Sequence, residues 1–279
     1  MRLLRYGPRG TERPGLLDAD GVIRDLSSTV PDISPESIAG GAIERIRRID
    51  PATLPAVPAD VRIGACISRV GHFIGVGLNY FDHAAELDQK PPVEPILFTK
   101  APGSLSGPND DIPLPAGWDK ADWECELAFI IGKRAYQVSE AEALDYVAGY
   151  CICNDVSERG KQLEGTGQWL KGKSAPGFGP LGPWLVTPDE IPDVQALAVT
   201  LDLNGTRQQN GNTKAMIFGC AFIIAYTSQF MMLEPGDVIT TGTPAGVGNK
   251  RKIFLKPGDK VHLAVDGLGE QRQNVVAAR

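Results

Sequence analysis

Residues 122–131 read Asp-Trp-Glu-Cys-Glu-Leu-Ala-Phe-Ile-Ile, and the fold follows from how this stretch is read. As a strand, successive side chains point to opposite faces. Trp123, Cys125, Leu127 and Phe129 then share one face, and Glu124, Glu126 and Ala128 share the other. Ile130 and Ile131 prolong the apolar run, as expected of a strand inside a core. Two carboxylates side by side on such a strand repel each other and lose hydration. Either one takes a proton or a cation sits between them. A hard, oxygen-seeking divalent ion such as Mg²⁺ suits the pair. The competing reading is an edge strand carrying two solvated glutamates.

A third oxygen ligand is available in residues 151–159, Cys-Ile-Cys-Asn-Asp-Val-Ser-Glu-Arg, where Asp155 follows an apolar strand and opens a polar segment. The same aspartate also reads as a helix or turn cap. Upstream, residues 75–86 read GVGLNYFDHAAE. With Asn79 as a cap, His83 and Glu86 fall three apart on one helix face. A carboxylate beside an imidazole fixes its tautomer and raises its basicity, as a water-activating base requires. The spacing fits an exposed helical ion pair equally well. His262 alternates within an expected strand and reads as structural, and His72 has no partner in sequence. The glycine-rich piece TGTPAGVG at 241–248 could present backbone amides and the Thr243 hydroxyl to a carboxylate, or form a tight turn. Neither a nucleotide-binding fingerprint nor a GxSxG nucleophile elbow occurs.

The surrounding chain is ordinary globular material: 279 residues, 42% hydrophobic and 22% charged, long enough for a large core. Its 28 Lys and Arg against 34 Asp and Glu give a net charge of −6, which argues against a nucleic-acid binder. The 32 glycines and 22 prolines favour a β-rich α+β protein over a helical bundle. Short β-type runs fall at 73–77, 125–131, 146–154, 184–187, 197–203, 238–241 and 260–265, with helices expected at 79–87, 139–144 and 214–233. The last contains nineteen uncharged residues, 215–233, close to the ~20 that span a bilayer. Thr227, Ser228 and Gln229 within it favour a buried helix, so no membrane partner is expected. Five cysteines without regular spacing form no disulfide framework, and free buried thiols fit a reducing cytoplasm.

The first sixty residues differ from the rest. Leu16-Leu17 and Val22-Ile23 flank an Asp-Ala-Asp-Gly turn, a hairpin pattern. Ser34-Pro35 caps a helix expected to run to about Asp50, and PATLPAVPAD at 51–60 reads as an extended linker. We divide the chain into a small N-terminal α+β domain, 1–65, and a catalytic domain, 66–279.

Taken together, GVGLNYFDHAAE (75–86), FTKAPGSLSGP (98–108), DWECELAFIIGK (122–133), VAGYCICNDVSERGKQ (147–162), GKSAPGFGPLGPWLVT (172–187), LNGTRQQ (203–209) and LEPGDVITTGTPAGVG (233–248) resemble the fumarylacetoacetate hydrolase family, in family order. The resemblance implies a mixed β-sandwich roll, a homodimer, and a Mg²⁺ or Mn²⁺ site at Glu124, Glu126 and Asp155. It implies catalytic roles for His83, Glu86 and Lys173, and substrate contacts at Arg159, Gln162, Thr243 and Ser106. It implies a small keto-acid substrate cleaved between carbons, with oxaloacetate decarboxylation or 2-hydroxy-dienoate isomerisation as alternatives on the same enolate chemistry. The chain departs from the family where Ala175-Pro176-Gly177 stands for Phe-Asp-Thr and Gly160 for an aspartate, which argues against fumarylacetoacetate itself. Its opening, residues 3–27, resembles bacterial members that hydrolyse 2,4-diketo-3-deoxy sugar acids derived from L-rhamnose or L-fucose.

Overall fold

The fold, described over residues 1–278 in a computed structural model, is built outward from one strand, Cys125–Ile131. Every residue of that strand is buried. It lies antiparallel between Val147–Asn154 and Val238–Thr240, so it is a central strand and not an edge. The sheet runs on through Gly179–Val186, Arg2–Tyr6, Arg13–Leu17 and Ile23–Asp25 on one side, and through Phe73–Gly77 and Ile96–Thr99 on the other. A second sheet orders Thr206–Asn212, Ala198–Leu203, Lys260–Val265, Gly269–Ala277 and Ile112–Leu114. The architecture is β-rich α+β, with mixed parallel and antiparallel pairing.

Alternation along the central strand sorts its side chains between two cores. Leu127, Phe129 and Ile131 pack with Val199, Leu201, Val261 and Leu263 of the second sheet. Ala128 and Ile130 pack with Leu3, Leu16, Ile38, Ile46 and Val238. Each buried aliphatic side chain of this kind is worth roughly 1.5–3 kcal/mol of transfer free energy. Buried amides join the layers where the apolar pattern fails. Gln209 accepts from the Cys125 amide at 2.9 Å, and Gln271 donates to the Ile152 and Gly182 carbonyls at 2.9 and 3.0 Å.

The N-terminal hairpin forms as expected, and Ser34 caps the helix Pro35–Ala39 through the Ser37 amide. The single helix expected to reach Asp50 divides at Gly40-Gly41, where Gly41 is left-handed, and resumes as Ala42–Arg47. The proline-rich 51–60 carries a 3-10 turn, Pro51–Thr53, and a bridge from Ala56 to Arg24. Strand Arg2–Tyr6 pairs with Gly179–Val186, so residues before 65 extend the same sheet and core as residues after it.

Two expected helices change form. Residues 139–144 give way to a 3-10 turn, Ala143–Tyr146. The uncharged stretch 215–233 yields only the nine-residue helix Cys220–Ser228, because the Ile217 amide bonds the Asn79 carbonyl and holds the preceding chain extended. Among the described residues no helix is long and apolar enough to cross a membrane.

Candidate active site

The antiparallel register that pairs Cys153 with Glu126 and Asn154 with Cys125 carries the next residue, Asp155, to the foot of the central strand. There the Asp155 amide donates to the Glu124 carbonyl at 2.9 Å. The carboxylates of Glu124, Glu126 and Asp155 consequently converge, offering oxygens that all lie within 4.8 Å of one another. All three residues are buried. The solvated-edge reading of Glu124 and Glu126 is therefore excluded.

Buried like charges are tolerable only with compensation. Lys173, at the end of helix Trp169–Lys173, bridges Glu124 Oε2 and Asp155 Oδ2 at 2.6 Å each. Arg159 donates to Glu124 Oε1 at 2.6 Å, to Asp122 Oδ2 at 2.8 Å and to Gln162 Oε1 at 2.9 Å. A third cation, Lys100, is fully buried and donates to Asp155 Oδ1 at 2.5 Å. Asp122 in turn accepts the backbone amides of Gly248 and Asn249 at 2.7 and 3.0 Å. Lys100 and Asp122 were not among the expected site residues.

The electrostatics divide the triad. Burial alone would raise the Glu124 pKa, but Arg159 and Lys173 outweigh it and hold the carboxyl well below its usual range. Burial pushes Glu126 well up, and the charges of Asp155 and Glu124 push it further. Burial would lower the Lys173 pKa, yet Asp155 and Glu124 raise it, so the ammonium stays charged. Thr240 and the Gly242 amide both donate to Oε2 of Glu126, leaving its other oxygen without a protein partner. An oxygen-only donor set, one oxygen unpartnered and negative charge in excess locally at Glu126 all fit a hard divalent cation.

A cavity of about 190 Å³ opens over this cluster, lined by Glu124, Glu126, Arg159, Gln162, Lys173, Thr243 and His83 among others. His83 stands on the short helix Phe81–Glu86, its Nδ1 at 3.0 Å from Glu86 Oε2. Burial would raise the Glu86 pKa, but His83 and the Gly246 amide outweigh it, so the group remains a carboxylate. A carboxylate only accepts, so Nδ1 carries the proton, and in the neutral ring Nε2 is the basic nitrogen. His83 is buried and lines the cavity. The helical pair is thus part of the site, not a solvated surface pair. Asn79 does not cap the helix; Tyr80 occupies that position, and the Asn79 side chain donates to the Phe218 and Thr241 carbonyls at 3.0 and 2.8 Å.

Two of the expected substrate contacts are held in different ways. Ser106 is buried in the strand Leu105–Ser106, which pairs with Gly179–Val186, and is not among the residues lining the cavity. Thr243 does line the cavity, but its hydroxyl donates to the Cys125 carbonyl at 2.9 Å and accepts from Gln209 at 2.7 Å. Its hydroxyl proton is committed to the strand. The five cysteines are buried and unpaired, and burial pushes the thiols of Cys151 and Cys153 well up, so they sit in the core as small apolar groups.

The family model for the fumarylacetoacetate hydrolase C-terminal domain matches residues 72–276. The chain belongs to the fumarylacetoacetate hydrolase family. A Burkholderia ambifaria protein provisionally named a hydrolase is 57% identical over 277 residues, 98% of each chain. Among solved structures, the fumarylacetoacetate hydrolase of Exiguobacterium antarcticum is 37% identical with a TM-score of 0.88, covering 100% of both chains. Maleylpyruvate hydrolase of Sphingobium sp. SYK-6, solved in complex with manganese(II) and pyruvate, is 29% identical with a TM-score of 0.82, again over 100% of both. 2-Hydroxyhepta-2,4-diene-1,7-dioate isomerase of Mycobacterium marinum is 32% identical with a TM-score of 0.77, covering 99% of this chain and 98% of that one. This member of the fumarylacetoacetate hydrolase family thus stands among metal-dependent hydrolases and isomerases.

Proposed function

We propose that the protein is a divalent-metal-dependent hydrolase that cleaves the C3–C4 bond of a 2,4-diketo acid, giving pyruvate and a carboxylic acid. The substrate we assign is a 2,4-diketo-3-deoxy sugar acid. One observation carries the reading: an imidazole held through Nδ1 by Glu86 shares a cavity with the three-carboxylate cluster. Loss of CO₂ from a β-keto acid needs no water-activating base, whereas hydrolysis does.

Glu124, Glu126 and Asp155 would hold Mg²⁺ or Mn²⁺, and such an ion supplies Lewis acidity toward the 2-oxo acid end of the substrate. His83 Nε2 takes a proton from water as the water oxygen adds to C4, and Glu86 stabilises the imidazolium that forms. Lys173 and Arg159 hold positive charge beside the developing oxyanion. The C3–C4 electron pair passes to the pyruvyl half as its enolate, which takes a proton at C3. Gln162 positions the Arg159 guanidinium through their 2.9 Å hydrogen bond. Five buried free thiols support a reducing, cytoplasmic setting.

Pyruvate release from a simple acylpyruvate and from oxaloacetate, each with and without added Mg²⁺ or Mn²⁺, tests the reading. Metal-dependent cleavage of the acylpyruvate is expected, and His83→Ala should retain metal binding while losing ~10²–10⁴ in rate. Rapid CO₂ loss from oxaloacetate with no acylpyruvate cleavage would replace the hydrolase with a decarboxylase.

A further inference from the structure

The charges of the site are nearly all spoken for. Asp122, Glu124 and Asp155 are paired with Lys100, Lys173 and Arg159 through the contacts described above, and Glu126 stands beside them with no cation in contact. A divalent ion on the triad would leave this group with one positive charge in excess. The 2-oxo acid end of a substrate then adds one negative charge. A second carboxylate at the far end would be held best by a cation of its own.

The cavity offers none. Arg159 and Lys173 are the only cations lining it among the described residues, and both are bound at its floor. The nearest basic residues of the following segment lie outside the lining and are engaged: Lys250 with Asp88, and Arg251 with the Gly246 carbonyl at 2.6 Å. The lining also includes the apolar side chains of Leu87, Ile96, Leu163 and Trp169 and the carboxamides of Gln89 and Asn249, and the exposure of Gln89, Ile96 and Leu163 puts them at the outer part of the cavity. Neither carboxamide makes a hydrogen bond among the described residues. Each offers a donor and an acceptor without net charge.

We infer that the outer part of the cavity is a subsite for an uncharged, hydrogen-bonding acyl arm, with Gln89 and Asn249 as residues that set this specificity against a distal carboxylate. This rests on the proposed acylpyruvate reading for the orientation of the substrate. It separates the chain from relatives whose names specify a dioate or a maleyl group at that end.

The test separates binding from hydrolysis. Two keto acids of equal length, 2-oxohexanoate with a neutral end and 2-oxoadipate with a carboxylate end, are titrated calorimetrically into the Mn²⁺-loaded full-length protein. The neutral acid should bind at least ~10-fold tighter, and Gln89→Arg or Asn249→Arg should narrow or reverse that ratio. Equal or tighter binding of 2-oxoadipate to the unmodified protein would overturn the inference, as would two arginine variants that leave the ratio where it was. Binding of neither acid would remove the cavity as a keto-acid site and the inference with it. Failure of the hydrolase reading shows separately: an acylpyruvate with a neutral arm would bind in the same titration but release no pyruvate.

Discussion

Lys100 shows what a single residue contributes that its sequence context hides. In the string FTKAPG nothing distinguishes it from a solvated lysine. Only the tertiary fold buries it completely against Asp155. Replacing it with methionine leaves Asp155 less compensated, though Lys173 still faces the carboxylate. Lys100→Met should therefore lower stability by about 3 kcal/mol, the low end for breaking a buried pair. A urea-unfolding midpoint unchanged from the parent would contradict this. The triad itself was legible, because alternation put Glu124 and Glu126 on one face and Asp155 followed an apolar strand. Ser106 was misplaced because a motif match carries no information on which side of a strand pairing its hydroxyl lies. The engagement of Thr243 depended on Gln209, more than thirty residues distant in sequence and joined to it only across the two sheets.

At the scale of elements, the loop after strand Val238–Thr240 and the helix Phe81–Glu86 hold the proposed base in place together. The Gly246 amide donates to both Glu86 oxygens, at 3.0 and 3.1 Å. Gly246 has φ +112°, and a Cβ there would lie 2.1 Å from the Gln208 carbonyl oxygen. Alanine is thus excluded both by conformation and by contact. Gly246→Ala should lower kcat at least ~10-fold through loss of His83 orientation, with Mn²⁺ affinity retained; a full kcat would show that Glu86 needs no such support.

A second element-level contact ties the residue 62 segment to the 107–110 loop. Arg62 donates to both oxygens of Asp110, at 2.7 and 2.6 Å, and the Gly107 amide adds a bond at 2.9 Å. Burial raises the Asp110 pKa, but the guanidinium and the amide outweigh it and leave it lowered. A lowered pKa stabilises the fold above the unfolded aspartate value, about 3.9, and that stabilisation is lost as pH falls through the folded value. The stability difference between the parent and Asp110→Asn should stay constant from neutral pH to about 4 and shrink below it. A difference that grows on acidification would contradict the assignment. Strands such as Cys125–Ile131 and Lys260–Val265 were legible from apolar alternation, whereas Arg2–Tyr6, Ile96–Thr99 and Ile112–Leu114 were not expected. Neither were Thr206–Asn212 and Gly269–Ala277, since their inward positions include Gln209, Gln271 and Gln273, whose amides find partners in distant segments such as Cys125, Ile152 and Pro108.

For the whole molecule, the same backbone that builds the site also joins the N-terminal segment to it. Leu3, Leu16, Ile38 and Ile46 cover the face of the central strand that carries Ala128 and Ile130, one turn of the alternation beyond Glu126. A chain beginning at residue 66 should expose that face and bind a hydrophobic dye or aggregate, whereas the full chain does neither. A folded, monodisperse 66–279 fragment would show the two parts to be separable. Composition argued against a nucleic-acid binder and pointed to a β-rich fold, but it could not show that one sheet crosses the expected boundary, since the pairing of Arg2–Tyr6 with Gly179–Val186 is a contact between distant segments.

The central claim is that water activated by His83 enters the C–C bond. Turnover of an acylpyruvate with Mn²⁺ in ¹⁸O-labelled water, followed by mass analysis of both products, tests it most directly. Hydrolysis predicts at least one ¹⁸O in the carboxylic acid product and loss of its formation in His83→Ala. Pyruvate or CO₂ formed without a labelled carboxylic acid, or labelling at the full rate in His83→Ala, would contradict the account.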